Sequence, residues 1–239
     1  MILCGGDEAG RGALVGPLVL SLVYVRKSRI HKLPEIGVRD SKLLSKNKRK
    51  TLYEDIMEIA DEVKVDKISS EEINEAMRNE VSLNALEAMH FAMLFDKSST
   101  NADVLYLDSP DVIAEKFGMR INILASKPTK IFGIKSTRKK GVKYTNIIAE
   151  HKADSRYPVV SAASIIAKIE RDNEMERINR LFNIEMGSGY PSDGKTIEVI
   201  KKNMKDIELN RYVRAYWKTL SNIKQTKLFN FPPEGPSKE

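Results

Sequence analysis

The sequence predicts an α/β fold, in which helices flank a mixed β-sheet and a helical appendage follows at the C-terminus. In the first half of the 239 residues, short apolar runs typical of strands alternate with segments whose apolar residues recur at helical spacing. After about residue 158 the pattern is helical alone. This alternation is typical of a sheet covered by helices, and the length fits one large domain with a small appendage.

Six short apolar runs are the strand candidates, because polar or turn residues bound each of them. They are residues 1–4, 14–25, 63–68, 104–107, 121–124 and 146–149. The second run is nearly continuous, and we expect it to pair with the first. A strand that ends at residue 107 would leave Asp108 at the edge of the sheet.

Helices are predicted between these strands. Leu52, Ile56 and Ile59 recur at helical spacing, and Ser69 with Glu72 forms a capping box that opens the next helical region. The apolar stripe of that region contains Leu83, Leu86, Met89, His90 and Met93.

Four further helices are predicted later in the chain. Pro110 fits the first turn of one helix, which Gly118 would end. The others cover residues 158–182, 196–204 and 211–223. We divide the chain into a catalytic domain over residues 1–190, a helical region over 191–224 and a tail over 225–239.

Composition and charge narrow the class of protein. The 40 Lys and Arg exceed the 33 Asp and Glu, and the net charge of +7 favours a polyanionic partner. The one cysteine, Cys4, excludes an internal disulfide framework and fits a reducing compartment. No apolar run approaches the roughly 20 residues that span a bilayer, and Asp7 and Glu8 interrupt any signal-peptide pattern. We therefore expect a cytoplasmic protein, and a monomer because no motif signals an oligomer.

Basic residues are concentrated in one stretch. Residues 117–149 contain no Asp or Glu, but eight Lys or Arg: Arg120, Lys127, Lys130, Lys135, Arg138, Lys139, Lys140 and Lys143. The stretch would repel itself unless it faced phosphates or solvent. It is consistent with a nucleic-acid contact and equally with a solvated loop.

Residues 6–12 carry the most informative chemistry. Asp7 and Glu8 follow the first strand candidate, and two adjacent carboxylates at a strand end are unfavourable unless a cation such as Mg²⁺ neutralises them. Gly10, Arg11 and Gly12 come next. Glycine lets the backbone approach a ligand closely, and arginine offers donors matched to phosphate. The segment therefore suggests phosphodiester chemistry, although a solvated turn would have the same sequence.

Four carboxylates occupy comparable places in the predicted sheet. Asp7, Glu8 and Asp108 lie at strand ends, and Asp154 lies just past the last strand, before the long helix. If they converge, four carboxylates suit two Mg²⁺ ions about 4 Å apart, which activate water and stabilise the leaving oxygen in phosphoryl transfer. Any one of these aspartates could instead cap a helix.

Several motifs in order give the chain a family resemblance. They are residues 6–12 with Gly16-Pro17, Asp40-Ser41-Lys42-Leu43, Leu107-Asp108-Ser109, residues 150–154 with 160–168, residues 187–193, and Val213-Arg214-x-x-Trp217. Together they resemble the archaeal-type ribonuclease HII family. The resemblance covers about residues 1–220 and is far more specific than any one motif.

The resemblance implies a ribonuclease H-like fold and metal-dependent endonucleolysis of RNA in RNA–DNA hybrids. Family members also incise 5′ of a single ribonucleotide in duplex DNA, leaving a 3′-hydroxyl and a 5′-phosphate. Asp7, Glu8, Asp108 and Asp154 would be the catalytic, metal-binding set for two Mg²⁺ or Mn²⁺ ions. The turn Gly10-Arg11-Gly12 is similar to the element that senses the 2′-hydroxyl, and Tyr190 resembles the tyrosine that packs on the neighbouring deoxyribose.

Other side chains are candidate phosphate contacts. Ser161, Ser164 and Lys168 recur at i, i+3 and i+7 on the long predicted helix and share a polar stripe just after Asp154. The stripe could face the substrate backbone, or it could be a hydrogen-bonding face of the protein. Lys42 and Lys46 are further candidates, and the family motif favours Lys42. We assign no role to His90.

The tail carries a separate signal. Gln225, Leu228 and Phe231 form a Gln-x-x-Leu-x-x-Phe pattern that resembles the motif by which proteins dock to sliding clamps. Pro232 stands where a second aromatic residue is usual. An ordinary helix end packed on the domain is the alternative.

Two other classes share some of these features. A junction resolvase of ribonuclease H-like fold would use the carboxylates without needing the glycine turn or Tyr190. A non-catalytic nucleic-acid-binding protein would explain the charge and the tail, but not four carboxylates that repel phosphate.

Overall fold

The computed structural model describes residues 1–38, 46–133 and 141–220, and only the backbone of residues 46–49. The strands are β1 Ile2–Ala9, β2 Leu18–Arg26, β3 Glu62–Ile68, β4 Val104–Asp108, β5 Thr129–Ile131 and β6 Thr145–Glu150. They form a six-stranded sheet in the order β3-β2-β1-β4-β6-β5. The pairs β1–β2 and β2–β3 are antiparallel, whereas β1–β4, β4–β6 and β5–β6 are parallel. The predicted mixed sheet is confirmed.

Helices cover both faces of this sheet. They are α1 Lys32–Glu35, α2 Lys46–Ile59, α3 Ser70–Arg78, α4 Leu83–Asp96, α5 Ala114–Leu124, α6 Ala153–Arg156, α7 Pro158–Phe182, α8 Gly194–Lys202 and α9 Ile207–Asn210. Helices α4 and α5 lie on one face, and α2 and α7 on the other. In the described ranges, no helix combines the length and apolar character needed to cross a membrane.

Strand β2 is buried on both faces, which explains why its sequence is almost continuously apolar. Leu20 and Leu22 face α4 and α5, whereas Val23 and Val25 pack toward α2 and α7. Strands buried on both faces lose the polar alternation of a half-exposed strand. Phe91 completes the first of these cores, with its ring edge-on to that of Phe117 at 5.9 Å between centroids.

Helix α7 lies directly on β1 because a glycine allows close approach. A Cβ at Gly5 would stand 2.3 Å from the carbonyl carbon of Val159. Pro158 occupies the first turn of α7, where its missing N–H has no consequence, and Asn183 ends the helix in the left-handed conformation. The predicted helix over residues 158–182 has these same bounds.

The far end of α7 reaches beyond the sheet and anchors the C-terminal helices. Met175 and Ile178 share a core with Leu14, Ile200 and Leu209. A single antiparallel bridge also joins Val15 to Val213. Residues 184–220 are therefore packed against the loop that follows β1.

Three predicted elements are wrong. Residues 121–124, expected as a strand, form the end of α5, where Phe117 and Ile121 are buried against the sheet. Gly118 does not end that helix but lies inside it, because the missing side chain lets α5 approach Ile147 and Ala149. The helix begins at Ala114 rather than at Pro110.

The third error concerns residues 211–223. In the described part, only residues 218–220 of this range are helical. The preceding residues form turns rather than a helix, because Val213 bridges to Val15 and the amide of Arg214 donates to Leu14 O at 2.8 Å. The sequence also missed β5, an edge strand of three residues that is too short to show a pattern.

Two strand boundaries also shift. β2 begins at Leu18 rather than Leu14, after Gly16, whose φ of +85° breaks the strand. β1 continues to Ala9, so Asp7 and Glu8 belong to the strand and do not follow it.

Candidate active site

Asp7 is a buried carboxylate near the end of β1. Its side chain is only 5% exposed, accepts a hydrogen bond from Ser164, and accepts another from the amide of Glu8 at 2.8 Å. Burial, together with repulsion from Asp108, raises the pKa of Asp7 to about 6. The hydrogen bonds and the positive charge of Lys168 act in the opposite direction.

Glu8 belongs to the same electrostatic group. Burial raises the pKa of Glu8 well above its ordinary value, and the adjacent charges of Asp7 and Asp108 raise it further. Arg11 opposes this rise. Because the carboxylates are held in mutual repulsion, a bound cation would relieve an unfavourable charge.

Asp108 lies beside Asp7 because β4 pairs with β1. The parallel register places Leu107 opposite Gly6, so the next residue on each strand is a carboxylate. One oxygen of Asp108 accepts a hydrogen bond from the amide of Ala153 at 2.8 Å, which ties the start of α6 to the end of β4.

Asp154 stands next to this anchor point, at the start of α6. Its carbonyl accepts a hydrogen bond from the Ser161 hydroxyl, which joins α6 to the first turns of α7. The turn before α6 is tight, with Lys152 in the left-handed conformation at φ 56°. All four predicted carboxylates therefore occupy strand ends or the helix start at one edge of the sheet.

The structure brings Asp7, Glu8 and Asp108 into electrostatic contact, but it does not form a closed metal cage. Within the described ranges, no group of three or more Asp, Glu, His or Cys side chains is arranged so that it could hold a metal ion. The donor set itself fits a hard divalent cation, since it consists of carboxylate oxygens whose repulsion a cation would offset.

The predicted polar stripe of α7 faces these carboxylates. Lys168 donates to the Ser164 hydroxyl at 2.9 Å, and Ser164 in turn donates to Asp7. Ser161 donates to the Asp154 carbonyl. Of the two alternatives in the sequence, these contacts match the internal hydrogen-bonding face. Contact with substrate phosphates stays a prediction for Ser161, Ser164 and Lys168.

The turn Gly10-Arg11-Gly12 directly follows β1. Gly10 has φ +90°, and a Cβ there would stand 2.4 Å from Nε of Arg171, so only glycine fits. Gly12 has no atom within 4 Å of a Cβ position. The backbone of the turn is held by Arg214, whose Nη1 donates to Arg11 O at 2.9 Å.

Arg11 itself points into the protein. It forms an ion pair with Glu87, which is fully buried on α4, and it donates to Asn84. Asn84 donates onward to Asp111, which also pairs with Arg120. This network links the turn to the loop after Asp108 and makes Arg11 part of a structural ion pair.

Tyr190 lies near the turn, in the glycine-rich loop after α7. Its ring is 4.6 Å from the guanidinium carbon of Arg171, a cation–π contact, and the side chain is partly exposed. Asp193 shapes the loop by accepting the amide of Ser188 and capping α8 through Lys195.

The sequence missed Glu87, Arg171 and Arg214 as site residues. A charged residue within a helical pattern is ordinarily exposed, so Glu87 gave no signal. Arg171 had one, because it extends the stripe of Ser161, Ser164 and Lys168 by one further turn. Lys42, Gln225, Leu228 and Phe231 lie outside the described residues, as does the side chain of Lys46.

Comparison with known proteins gives a consistent set of relatives. A family model described as Ribonuclease HII matches residues 4–220. The chain is 38% identical to "Ribonuclease HII" of Thermococcus sibiricus, over 97% of this chain and 98% of the relative. It is 40% identical to "Ribonuclease HII" of Methanocaldococcus jannaschii, over 95% and 99%.

Solved structures agree with these sequences. The crystal structure of ribonuclease H2 from Pyrococcus horikoshii OT3 superposes with a TM-score of 0.80 at 35% identity, covering 96% of this chain and 100% of that one. The RNase HII of a PCNA complex from Archaeoglobus fulgidus gives 0.74 at 35%, over 91% and 96%. Bst-RNase HIII in complex with Mn²⁺ gives 0.73 at 20% identity, over 95% and 70%, which supports the fold alone.

Proposed function

We propose, from the premise that this chain belongs to the ribonuclease HII family, a specific reaction for the site at the end of β1. Membership makes the chain a type 2 ribonuclease H, a nuclease that cleaves the RNA strand of RNA–DNA hybrids. The proposed extension is incision 5′ of a single ribonucleotide in duplex DNA, leaving a 3′-hydroxyl and a 5′-phosphate. The observation that carries it is the buried, mutually repelling pair Asp7 and Asp108 beside a glycine turn and Tyr190.

Asp7, Glu8, Asp108 and Asp154 would hold two Mg²⁺ or Mn²⁺ ions. When bound, such a pair activates the attacking water and stabilises the leaving oxygen of an in-line displacement. The protein's part is to keep the carboxylates ionised and oriented, and the chain from Lys168 through Ser164 to Asp7 supports both. The preference between the two metals is not encoded in the donor type, since both take oxygen ligands.

Recognition of the ribonucleotide is assigned to the turn and to Tyr190. The 2′-hydroxyl both donates and accepts hydrogen bonds, and it is the group by which a protein distinguishes RNA from DNA. The main chain of Gly10-Arg11-Gly12 can approach it closely, because Gly12 leaves open space where a side chain would stand. Tyr190 would pack on the next sugar, where a hydroxyl would collide with the ring. Lys42, Lys46 and the basic stretch are proposed phosphate contacts.

One experiment tests this assignment. Three duplexes of the same sequence are incubated with the enzyme: all DNA, DNA with one embedded ribonucleotide, and a continuous RNA–DNA hybrid. We expect Mg²⁺-dependent incision 5′ of the single ribonucleotide, cleavage of the hybrid, and no cleavage of all-DNA duplex or of any duplex in a chelator. Cleavage of the hybrid with no incision at the single ribonucleotide would refute the extension.

The biological setting follows from this substrate. Incision at a misplaced ribonucleotide is the first step of ribonucleotide excision repair and accompanies DNA replication. The Archaeoglobus fulgidus relative was solved in complex with PCNA, a sliding clamp. We therefore propose that the tail motif Gln225, Leu228 and Phe231 docks this chain to a clamp, with the enzyme itself a monomer in the cytoplasm.

A further inference from the structure

Arg171 on α7 is buried between the two elements proposed to recognise the substrate. Its side chain is 4% exposed. It lies between the turn Gly10-Arg11-Gly12 on one side and the loop of residues 187–193, which carries Tyr190, on the other. A buried guanidinium at this position is unusual, because arginine is almost never fully buried unless it is paired.

Arg171 donates hydrogen bonds to main-chain carbonyls in the tyrosine loop and in the loop that follows the turn. Nη2 donates to Ser188 O at 3.0 Å, in the tyrosine loop, and to Val15 O at 3.4 Å, in the loop after the turn. The guanidinium carbon lies 4.6 Å from the centroid of the Tyr190 ring, a cation–π contact. One side chain thus contacts both loops and the aromatic ring.

Gly10 and Gly189 both lie close to the guanidinium of Arg171. A Cβ at Gly10 would stand 2.4 Å from Nε of Arg171, and a Cβ at Gly189 would stand 2.9 Å from Nη2. Nε is buried and has no hydrogen-bond partner within the described residues. A buried donor without a partner is unfavourable, so the guanidinium is held there at the expense of stability.

A second buried arginine, Arg214, holds the backbone of the turn by a hydrogen bond. Arg214 is fully buried and donates to Gly16 O at 2.9 and 3.1 Å as well as to Arg11 O. Burial, together with the nearby positive charge of Arg171, lowers the pKa of Arg214 to about 9. Two like charges are therefore buried close together, which is electrostatically unfavourable.

We propose that Arg171 is a positioning residue that holds the Gly10-Arg11-Gly12 turn and Tyr190 at a fixed spacing, and so sets selectivity for the junction between a ribonucleotide and the next deoxyribonucleotide. This inference rests on the proposed roles of the turn and of Tyr190. The 2′-hydroxyl and the hydroxyl-free sugar belong to adjacent nucleotides, so recognising both requires two protein contacts one nucleotide apart. The guanidinium contacts the Tyr190 ring and packs against the turn at Gly10, and it thereby fixes the distance between the two.

Arginine suits this task through its shape as well as its charge. Its guanidinium is planar, stacks on aromatic faces and donates in a fixed fork, whereas a lysine ammonium is a compact charge on a flexible stem. Arg171→Lys therefore keeps the charge and removes the planar spacer. If charge alone mattered, Arg171→Lys would keep the selectivity of the wild type for the junction.

The test compares substrate selectivity rather than activity. The ratio of kcat/KM on a single embedded ribonucleotide to kcat/KM on a continuous hybrid is measured for Arg171→Lys, Tyr190→Ala, the double variant and the wild type. A general loss of folded enzyme lowers both rates and leaves the ratio unchanged. We expect the ratio to fall roughly tenfold to a hundredfold in Arg171→Lys, as for other misplaced positioning groups. We expect no further fall when Tyr190→Ala is combined with it.

A matched control lies on the same helix. Arg177 has its guanidinium 5.8 Å from the ring of Tyr212, but it is exposed and pairs with Glu174. Arg177→Lys should keep the wild-type ratio. Thermal melting shows whether Arg171→Lys is folded, and Arg171→Met, which keeps an apolar stem without charge or donors, provides a second variant for the same comparison.

The outcomes separate the inference from the proposed function. If Tyr190→Ala leaves the ratio unchanged, the role of Tyr190 fails and the inference fails with it. If Tyr190→Ala lowers the ratio while folded Arg171→Lys and Arg171→Met keep it, Arg171 is only structural and the inference alone is overturned. Additive losses in the double variant would also overturn it, because the two residues would then act separately.

Discussion

At the scale of single residues, buried charge is concentrated at one end of the sheet. Asp7, Glu87, Arg171 and Arg214 are all at most 5% exposed, and they surround the turn after β1. Clusters of perturbed ionisable groups are typical of functional sites. The sequence predicted Asp7 because two adjacent carboxylates before glycines are unusual. It could not predict the others, because only tertiary packing decides whether a helical Arg or Glu is buried.

Asp7→Asn should abolish cleavage and stabilise the metal-free protein. Loss of the carboxylate should lower kcat by about a thousandfold or more, since several kcal/mol of transition-state stabilisation depend on the metals. The folded pKa of Asp7 is raised to about 6. At higher pH its ionised form therefore destabilises the fold, and Asn removes on the order of 2 kcal/mol of that penalty. Chemical denaturation in chelator near pH 8 measures this gain.

Two controls sharpen this prediction. Asp61→Asn makes the same chemical change at a carboxylate paired with Arg26, away from the site, and should leave kcat near wild type. Binding of Asp7→Asn to a duplex should persist, because affinity for nucleic acid comes largely from phosphate contacts. Near-normal turnover of Asp7→Asn in Mg²⁺ would contradict the assignment of the site.

His90 should make stability depend on pH. It was given no role from sequence, yet its ring contacts Asp66 through Nδ1 at 2.7 Å and Glu72 through Nε2 at 2.9 Å. Although burial alone would lower the pKa of His90, these carboxylates raise it overall. A raised folded pKa contributes stability that is fully present below the ordinary histidine value. That contribution is lost as the pH rises through the raised value.

The measurement is the difference in unfolding free energy between wild type and His90→Gln. We expect the wild-type advantage to be roughly 1 kcal/mol larger near pH 5.5 than near pH 9, limited by the exposure of Asp66 and Glu72. Taking the difference removes the pH dependence of all other groups. An advantage that grows with pH would show that His90 is buried neutral and the ion pairs do not form.

At the scale of elements, α7 is the piece that sequence predicted best and the site depends on most. Its start at Pro158 and its end beside Asn183 are encoded by local signals, which need no tertiary context. Residues 121–124 were mistaken for a strand because four apolar residues fit either structure. Their place is decided by Phe117, one helical turn earlier and buried on the same side of α5.

The contact of α7 with β1 gives a prediction at this scale. Gly5→Ala would put a methyl group 2.3 Å from the Val159 carbonyl carbon, and it should push the helix away from the strand. We expect a loss of about 1–3 kcal/mol in unfolding free energy, as for other overpacked cores. We expect kcat to fall by more than the loss of folded protein alone would cause, because Ser164 and Lys168 would move away from Asp7. Urea denaturation and kcat are the two measurements.

Gly194→Ala is the matched control. A Cβ there would meet no atom within 4 Å, and its φ is not in the left-handed region. The substitution should therefore be neutral or slightly stabilising. Equal losses for Gly5→Ala and Gly194→Ala would mean that glycine flexibility, rather than helix contact, explains the effect.

At the scale of the whole molecule, the ordered motifs predicted the architecture and the carboxylate site. They could do so because the motifs with Asp7, Asp108 and Asp154 lie at strand ends or a helix start, where the fold and the chemistry constrain the same residues. The helix predicted over residues 211–223 failed for the opposite reason. Its conformation is set by pairing of Val213 with Val15, a contact between opposite ends of the chain that no local pattern contains.

Deleting residues 225–239 should separate catalysis from docking. The shortened chain should keep kcat and KM on both substrates within about twofold, since the chain termini of most domains tolerate change. It should no longer migrate with a sliding clamp in gel filtration. The full chain with Leu228→Ala and Phe231→Ala should behave in the same way, which assigns the loss to these side chains. Cleavage that stops on deletion would mean that the tail belongs to the catalytic domain.

The hydrogen bond from Arg214 to Arg11 also has a consequence for folding. The two residues are 203 positions apart, so this contact closes a very long loop, whereas β1 and β2 pair between neighbouring segments. Contacts between residues distant in sequence carry the larger loop-closure cost and form more slowly than local ones. We therefore expect the turn to reach its final geometry late in folding, after the strands beside it have paired.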